Sequence, residues 1–105
     1  SSQMHGTIKL IPVDDIFFFQ SDSKYVVVHH RDGESLIDEP LKSLEQEFSE
    51  RFTRVHRNAL VANAYIEALE KNPEGQFQIR LRGCPNTLEV SRRQLPGVRK
   101  IIAQL

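Results

Sequence analysis

Arg54, His56 and Arg57 lie close together, Asn58 and an apolar run follow them, and no acidic side chain occurs between Arg51 and Glu67. Three chemistries fit such a stretch: a catalytic imidazole with helpers, a buried strand that happens to be basic, or a surface that meets an anion. A catalytic reading would pair His56 with Ser91 and a carboxylate, but no glycine-flanked nucleophile turn of the G-x-S-x-G kind is present. No enzyme is therefore expected. His29 and His30 are adjacent, so on a strand they point to opposite faces and cannot hold one metal together. One inward and one solvated imidazole is the expectation there. No glycine-rich cluster precedes a helix, so phosphate loops are lacking, and neither cofactor nor metal is expected. The anion-meeting surface is the remaining chemistry. If 54–56 is extended, Arg54 and His56 share a face, Val55 points to the core, and Arg57 and Asn58 begin a loop anchored by Leu60, Val61 and Ile66. Guanidinium groups on a rigid apolar footing suit bidentate contact with phosphates or guanine edges. The competing reading pairs these arginines with the acids before them as surface salt bridges, each contributing under about 1 kcal/mol. Residue chemistry alone leaves the two readings even.

The elements that must position these residues are mostly strands. IKLI at 8–11 alternates like a strand, Pro12 ends it, and VDD turns into IFFFQ, an aromatic run suited to a half-buried or fully buried strand. SDS at 21–23 breaks the chain before KYVVVHHR, and the Asp32-Gly33 pair followed by ESLI is a hairpin signal. Leu41, Leu44 and Phe48 recur at helical spacing behind Pro40, which predicts one short amphipathic helix. The apolar segment 59–70 reads as extended, and NPEG at 72–75 is a turn. QFQIRLR at 76–82 alternates as a strand with one polar face, TLEVS closes a hairpin, and LPGVRKIIAQL forms a terminal helix. Residues 1–6 read as a linker or expression remnant outside the fold, which leaves 7–105 as one domain. The fold class is thus mostly β with one or two short helices. A helix-turn-helix reader needs two consecutive helices, and strand signals flank the basic stretch instead.

A chain of 105 residues with 39% apolar and 27% charged residues is ordinary for one globular domain. No apolar run approaches the roughly 20 residues of a membrane span, and SSQMHGTI lacks the features of a secretory signal, so a cytoplasmic location is expected. Cys84 is the single cysteine, which rules out an internal disulfide. Formal net charge is zero, but the distribution is uneven. From Asp32 to Glu50 there are seven acids against Lys42 alone, whereas Arg51 to Arg57 carries three arginines and His56. Arg92, Arg93, Arg99 and Lys100 repeat the basic bias near the end of the chain, where no acidic side chain occurs. Local fields decide how a polyanion approaches within about 8 to 10 Å in physiological salt.

FTRVHRNALVANAYI, followed later by LEVSRRQLPGVRKII, resembles the LytTR family, whose pattern is an aromatic, R-V-H-R-S, an apolar pair, a spaced Ile, and a late V-S-R-R before a terminal helix. Phe52, Arg54, His56, Arg57, Leu60, Val61 and Ile66 match, as do Val90, Ser91, Arg92 and Arg93. The opening IKLIPVDDIFFFQSDSKYVVVHHRDG is similar to the family's start, so the resemblance covers nearly everything from residue 7 onward. There are two departures: Asn58 stands where serine is usual, and Ala62 stands at the usual asparagine position, with Asn63 one place late. The resemblance implies an elongated body of small antiparallel sheets. It also implies sequence-specific binding of double-stranded DNA by loops entering successive major grooves, as the output half of a transcriptional response regulator. By this carry-over Arg57, Arg93 and, behind them, Lys24 contact base edges. Asn58, Ser91 and Arg92 meet phosphates, while Arg54 and His56 serve as backbone contacts or loop supports. The acids of 32–50 are then expected on a face turned from the DNA. A receiver domain linked to this chain and a dimer on DNA are further implied partners. The rival readings are a protein-interaction module that uses strand edges or the 41–48 helix, and a cyclic-dinucleotide binder of the PilZ type, whose D/N-x-S-x-x-G element is missing.

Overall fold

The computed structural model of the chain describes residues 2–4 and 7–105. Among the described residues, ten strands and two α-helices follow in order: β1 (Ser2–Met4), β2 (Thr7–Lys9), β3 (Ile16–Asp22), β4 (Tyr25–His30), β5 (Gly33–Ile37), α1 (Leu41–Glu47), β6 (Phe52–His56), β7 (Ala59–Ala62), β8 (Ile66–Lys71), β9 (Phe77–Leu81), β10 (Thr87–Val90) and α2 (Leu95–Gln104). They form a five-stranded sheet in the order β5-β4-β3-β7-β6, a three-stranded sheet β10-β9-β8, and the pair β1-β2, all antiparallel. The body measures 44 × 25 × 25 Å. It is mostly β, with small antiparallel sheets and two helices, as the sequence predicts. Ser2–Met4 pairs with Thr7–Lys9, whereas the sequence reading sets residues 1–6 apart from the fold; residues 1, 5 and 6 lie outside the described residues.

The five-stranded sheet is the middle layer, which explains the run IFFFQ. Side chains alternate faces along a strand, so a strand covered on both sides carries apolar residues at successive positions. Phe19 faces α1 in a core with Ile16, Val28, Leu41, Leu44, Phe52 and Leu60. Phe18 faces the other way, toward Val55, Val61, Ile79, Leu88 and Val98 beneath the three-stranded sheet and α2. All four residues of β7 are buried for the same reason. The helix predicted from Leu41 and Leu44 forms, and both leucines are buried against the sheet. In β9, Ile79 and Leu81 are buried and Arg80 is exposed, in agreement with the alternation.

The segment 59–70 is not one extended run. A single 3-10 turn at Asn63–Tyr65 carries the chain out of the five-stranded sheet after β7 and into the three-stranded sheet at β8. Asn63 holds this crossing. Its N–H donates to the Arg51 carbonyl at 2.9 Å, and its side chain accepts from the Thr53 hydroxyl and donates to the Glu50 carbonyl at 3.5 Å. The amide one place late relative to the family pattern thus uses both its oxygen and its nitrogen, while Ala62 is buried in the core.

The two adjacent histidines face opposite ways as expected, but the imidazole expected in solvent, that of His29, is half-buried instead. His30 is buried with its Nε2 3.0 Å from the Ser35 hydroxyl, and its Nδ1 accepts from the Asp32 N–H at 3.3 Å. His29 is half-buried and stacks on Phe18 with ring centres 4.0 Å apart. Burial holds its pKa below the ordinary histidine value, with Glu34 pulling it up and His30 pushing it further down.

Candidate nucleic-acid interface

Register places the basic turns at one end of the central sheet. Asp22 pairs with Tyr25 at the close of the β3–β4 hairpin, and Gln20 of β3 pairs with Ala59, the first residue of β7. The turn at Ser23–Lys24 and the turn at Arg57–Asn58 therefore leave the same edge of the sheet. Ser23 takes the left-handed conformation, with φ of 55°, that closes the first of these. The segment after β10 joins them: the Ser91 N–H donates to the Val55 carbonyl at 2.9 Å.

The Arg57–Asn58 turn is braced on three sides. Arg54 Nη1 donates to the Arg57 carbonyl at 2.7 Å, the Asn58 N–H donates to His56 Nδ1 at 3.3 Å, and the Ser21 N–H donates to the Asn58 carbonyl at 2.8 Å. A bulge between Arg54 and His56 makes this possible by re-aiming the strand end, with Val55 fully buried on the opposite face. The second turn starts at Ser91, whose carbonyl accepts from the N–H groups of Gln94 and Leu95 at 3.1 and 3.0 Å and so leads into α2. Arg92 and Arg93 project from it into solvent.

Between these turns lies an open groove of about 510 Å³, lined by Lys42, Glu45, Arg54, His56, Arg57, Ser91, Arg93 and Gln94. Arg57 and Arg93, far apart in sequence, thus border one depression. Asn58 and Arg92 are exposed on the turns beside it, and Lys24 is exposed at the same end of the sheet but outside the lining. Sequence reasoning missed three members: Lys42, Glu45 and Gln94. Lys42 had a signal, as the one base in the acidic stretch; Glu45, at i+3 from it on α1, shares its helix face. Glu45 also overturns part of an expectation. The acids of 32–50 do not all turn from the basic surface, because the carboxylate of Glu45 sits in the groove with its Oε1 2.9 Å from Arg54 Nη2. The reason is packing: Leu41 and Leu44 bury the inner face of α1, which leaves Lys42 and Glu45 beside β6.

The two readings of the basic stretch divide by residue. Arg51 pairs with Asp14 and Arg54 with Glu45, as a salt-bridge reading requires. Arg57, Arg92 and Arg93 form no ion pair among the described residues. Arg54 and His56, left open between backbone contact and loop support, both hold the Arg57–Asn58 turn through hydrogen bonds. His56 and Ser91 line the same groove, yet no hydrogen bond joins them among the described residues. Cys84 is half-buried with its sulfur 3.7 Å from the Asn86 side-chain oxygen. No group of three or more metal-ligating side chains occurs among the described residues, and no described helix is long and apolar enough to cross a membrane.

Comparison with known proteins gives the family and the fold. The family model of the LytTr DNA-binding domain matches residues 6–103. Over 106 aligned positions the chain is 51% identical to the positive alginate biosynthesis regulatory protein of Pseudomonas aeruginosa, covering 100% of this chain and 43% of that protein. It is also 26% identical, over 92% of its length and 42% of the other's, to the CO-responsive transcriptional regulator of Rhodospirillum rubrum. The chain therefore spans less than half the length of these curated relatives. Among solved structures, the LytTr DNA-binding domain of a response regulator from Bacillus cereus superposes with a TM-score of 0.78 at 18% identity, over 88% of this chain and 84% of that one.

Proposed function

The chain belongs to the LytTR family of DNA-binding domains, and from that premise we propose that it binds double-stranded DNA sequence-specifically, through turns that enter major grooves, as the output domain of a transcriptional response regulator. The observation that carries this reading is the convergence of two turns on one groove, with Arg57 and Arg93 both on its lining and neither paired to a carboxylate among the described residues. A major groove about 12 Å wide admits such a turn, and an arginine fork matches the O6 and N7 acceptors of guanine. Arg57 and Arg93 are the base readers, with Lys24 as a further contact from the neighbouring hairpin. Asn58, Ser91 and Arg92 hold phosphates and fix the register of the protein on the duplex.

Arg54 and His56 act one step back. Both are committed to the Arg57–Asn58 turn, so they preorganise the reader and leave it little freedom to lose on binding. The relatives' greater length supports a further domain joined to this one in the full protein; we propose that this is a receiver domain, that the protein works in the cytoplasm, and that two copies meet on the DNA. Zero net charge fits a domain whose non-specific affinity is modest and whose specific complex is salt-sensitive. Selection of bound duplexes from a random pool tests the reading as a whole. Enrichment of a defined consensus with fixed half-site spacing is expected, and a bound pool as random as the input would overturn sequence-specific binding.

A further inference from the structure

We infer that Glu45 is a positioning residue of the DNA-binding groove that sets its specificity, by holding Arg54 under the Arg57 turn and by excluding phosphate from the groove floor. The inference rests on the DNA-binding reading of that groove. The Arg54 side chain is only 16% exposed, against 41% for Glu45. Its guanidinium is held from two directions: Nη2 by the Glu45 carboxylate at 2.9 Å, and Nη1 by the Arg57 carbonyl at 2.7 Å. Its Nε is buried without a hydrogen-bond partner. A largely buried cation in this position depends on its one carboxylate partner, because burial without a counter-charge or full hydrogen bonding is costly. Glu45 therefore decides where the guanidinium points, and through it how the Arg57 backbone is held.

The same carboxylate has a second effect. It stands in a groove whose lining includes Lys42, Arg54, His56, Arg57 and Arg93 and no other carboxylate. A negative charge within a Debye length of incoming phosphates weakens the sequence-independent part of DNA affinity. A phosphate that settles on the groove floor takes the place of a base edge there, so repelling it weakens the wrong complex more than the right one and, with a fixed base reader, raises discrimination. Glu45 thus works against binding in general and for binding at the right sequence.

Glu45→Gln and Glu45→Ala separate the two effects. The amide oxygen of glutamine still accepts from Arg54 but carries no charge; alanine removes both contact and charge. Each variant, with Arg57→Ala as reference, is titrated with the selected duplex, with a panel substituted one base pair at a time, and with a random-sequence duplex. Both Glu45 variants should bind the random duplex severalfold more tightly than the parent. Glu45→Ala should also lose about tenfold in discrimination at the base pair that Arg57 reads, as expected for a bidentate contact thrown out of line, while Glu45→Gln keeps it. A general loss of structure could not produce that split. Unchanged random-duplex affinity in Glu45→Gln overturns the charge effect even if Glu45→Ala fails to fold, and parental discrimination in a folded Glu45→Ala overturns the positioning role. If Arg57→Ala relaxes discrimination and Glu45→Ala does not, the Glu45 inference alone fails. If Arg57→Ala changes no base preference, the groove reading fails and this inference with it.

Discussion

Arg57 and Arg80 are both exposed arginines of antiparallel sheets, yet their surroundings differ in kind. Arg80 stands within β9, where its Nε meets Glu67 at 3.0 Å and its Nη1 meets Glu70 at 3.2 Å across the strand pair. Arg57 stands on a turn beyond the last rung of its ladder and has no carboxylate partner among the described residues. A strand residue has cross-strand and diagonal neighbours within reach, so its charge is readily neutralised at home. Arg57 projects past such neighbours and stays unpaired among the described residues, whereas Arg51, in the turn before β6, is paired with Asp14. Equal numbers of acids and bases therefore coexist with a strongly uneven surface, and the topology decides which arginines are free.

That contrast can be broken by substitution. The largest effect should come from Arg57→Ala and Arg93→Ala, each costing about 1 to 3 kcal/mol on the specific duplex and relaxing preference at one base pair. Binding to a base-substituted panel checks this, and a loss equal for all sequences would reduce both residues to phosphate contacts. Arg92→Ala should give that uniform loss, with the slope of log affinity against log salt falling by about one. Arg80→Ala should do least: DNA binding unchanged, and a change in folding stability within about 1 kcal/mol by thermal or denaturant unfolding, as for other surface ion pairs. A marked loss of DNA affinity in Arg80→Ala would erase the distinction between the two surfaces.

Much of the fold was readable because it is written locally. The alternation of QFQIRLR, the Asp32-Gly33 turn and the spacing of Leu41 and Leu44 each specify an element without knowledge of its neighbours. The candidate residues on turns are likewise visible in the sequence, since no acid occurs between Arg51 and Glu67 or after Glu89. What escaped depends on packing between distant segments. The 3-10 turn at Asn63–Tyr65 splits an apolar run that has no glycine or proline to mark the break. The pairing of Glu45 with Arg54 follows from how α1 lies against β6, and nothing in the spacing of the two residues announces it. The same packing moved one acid from the expected outer face into the groove.

The central claim is that the turns at 57–58 and 91–93, with the hairpin at 22–24 beside them, form one surface that receives a single duplex. Backbone amide shifts of the isotope-labelled chain, followed by NMR during titration with a selected duplex, test it most directly. The account predicts that the large shifts cluster at residues 21–24, 54–58 and 91–94 and leave β8 and β9 nearly unmoved. Shifts centred on the strands around Arg80, with Arg57 and Arg93 silent, would contradict it.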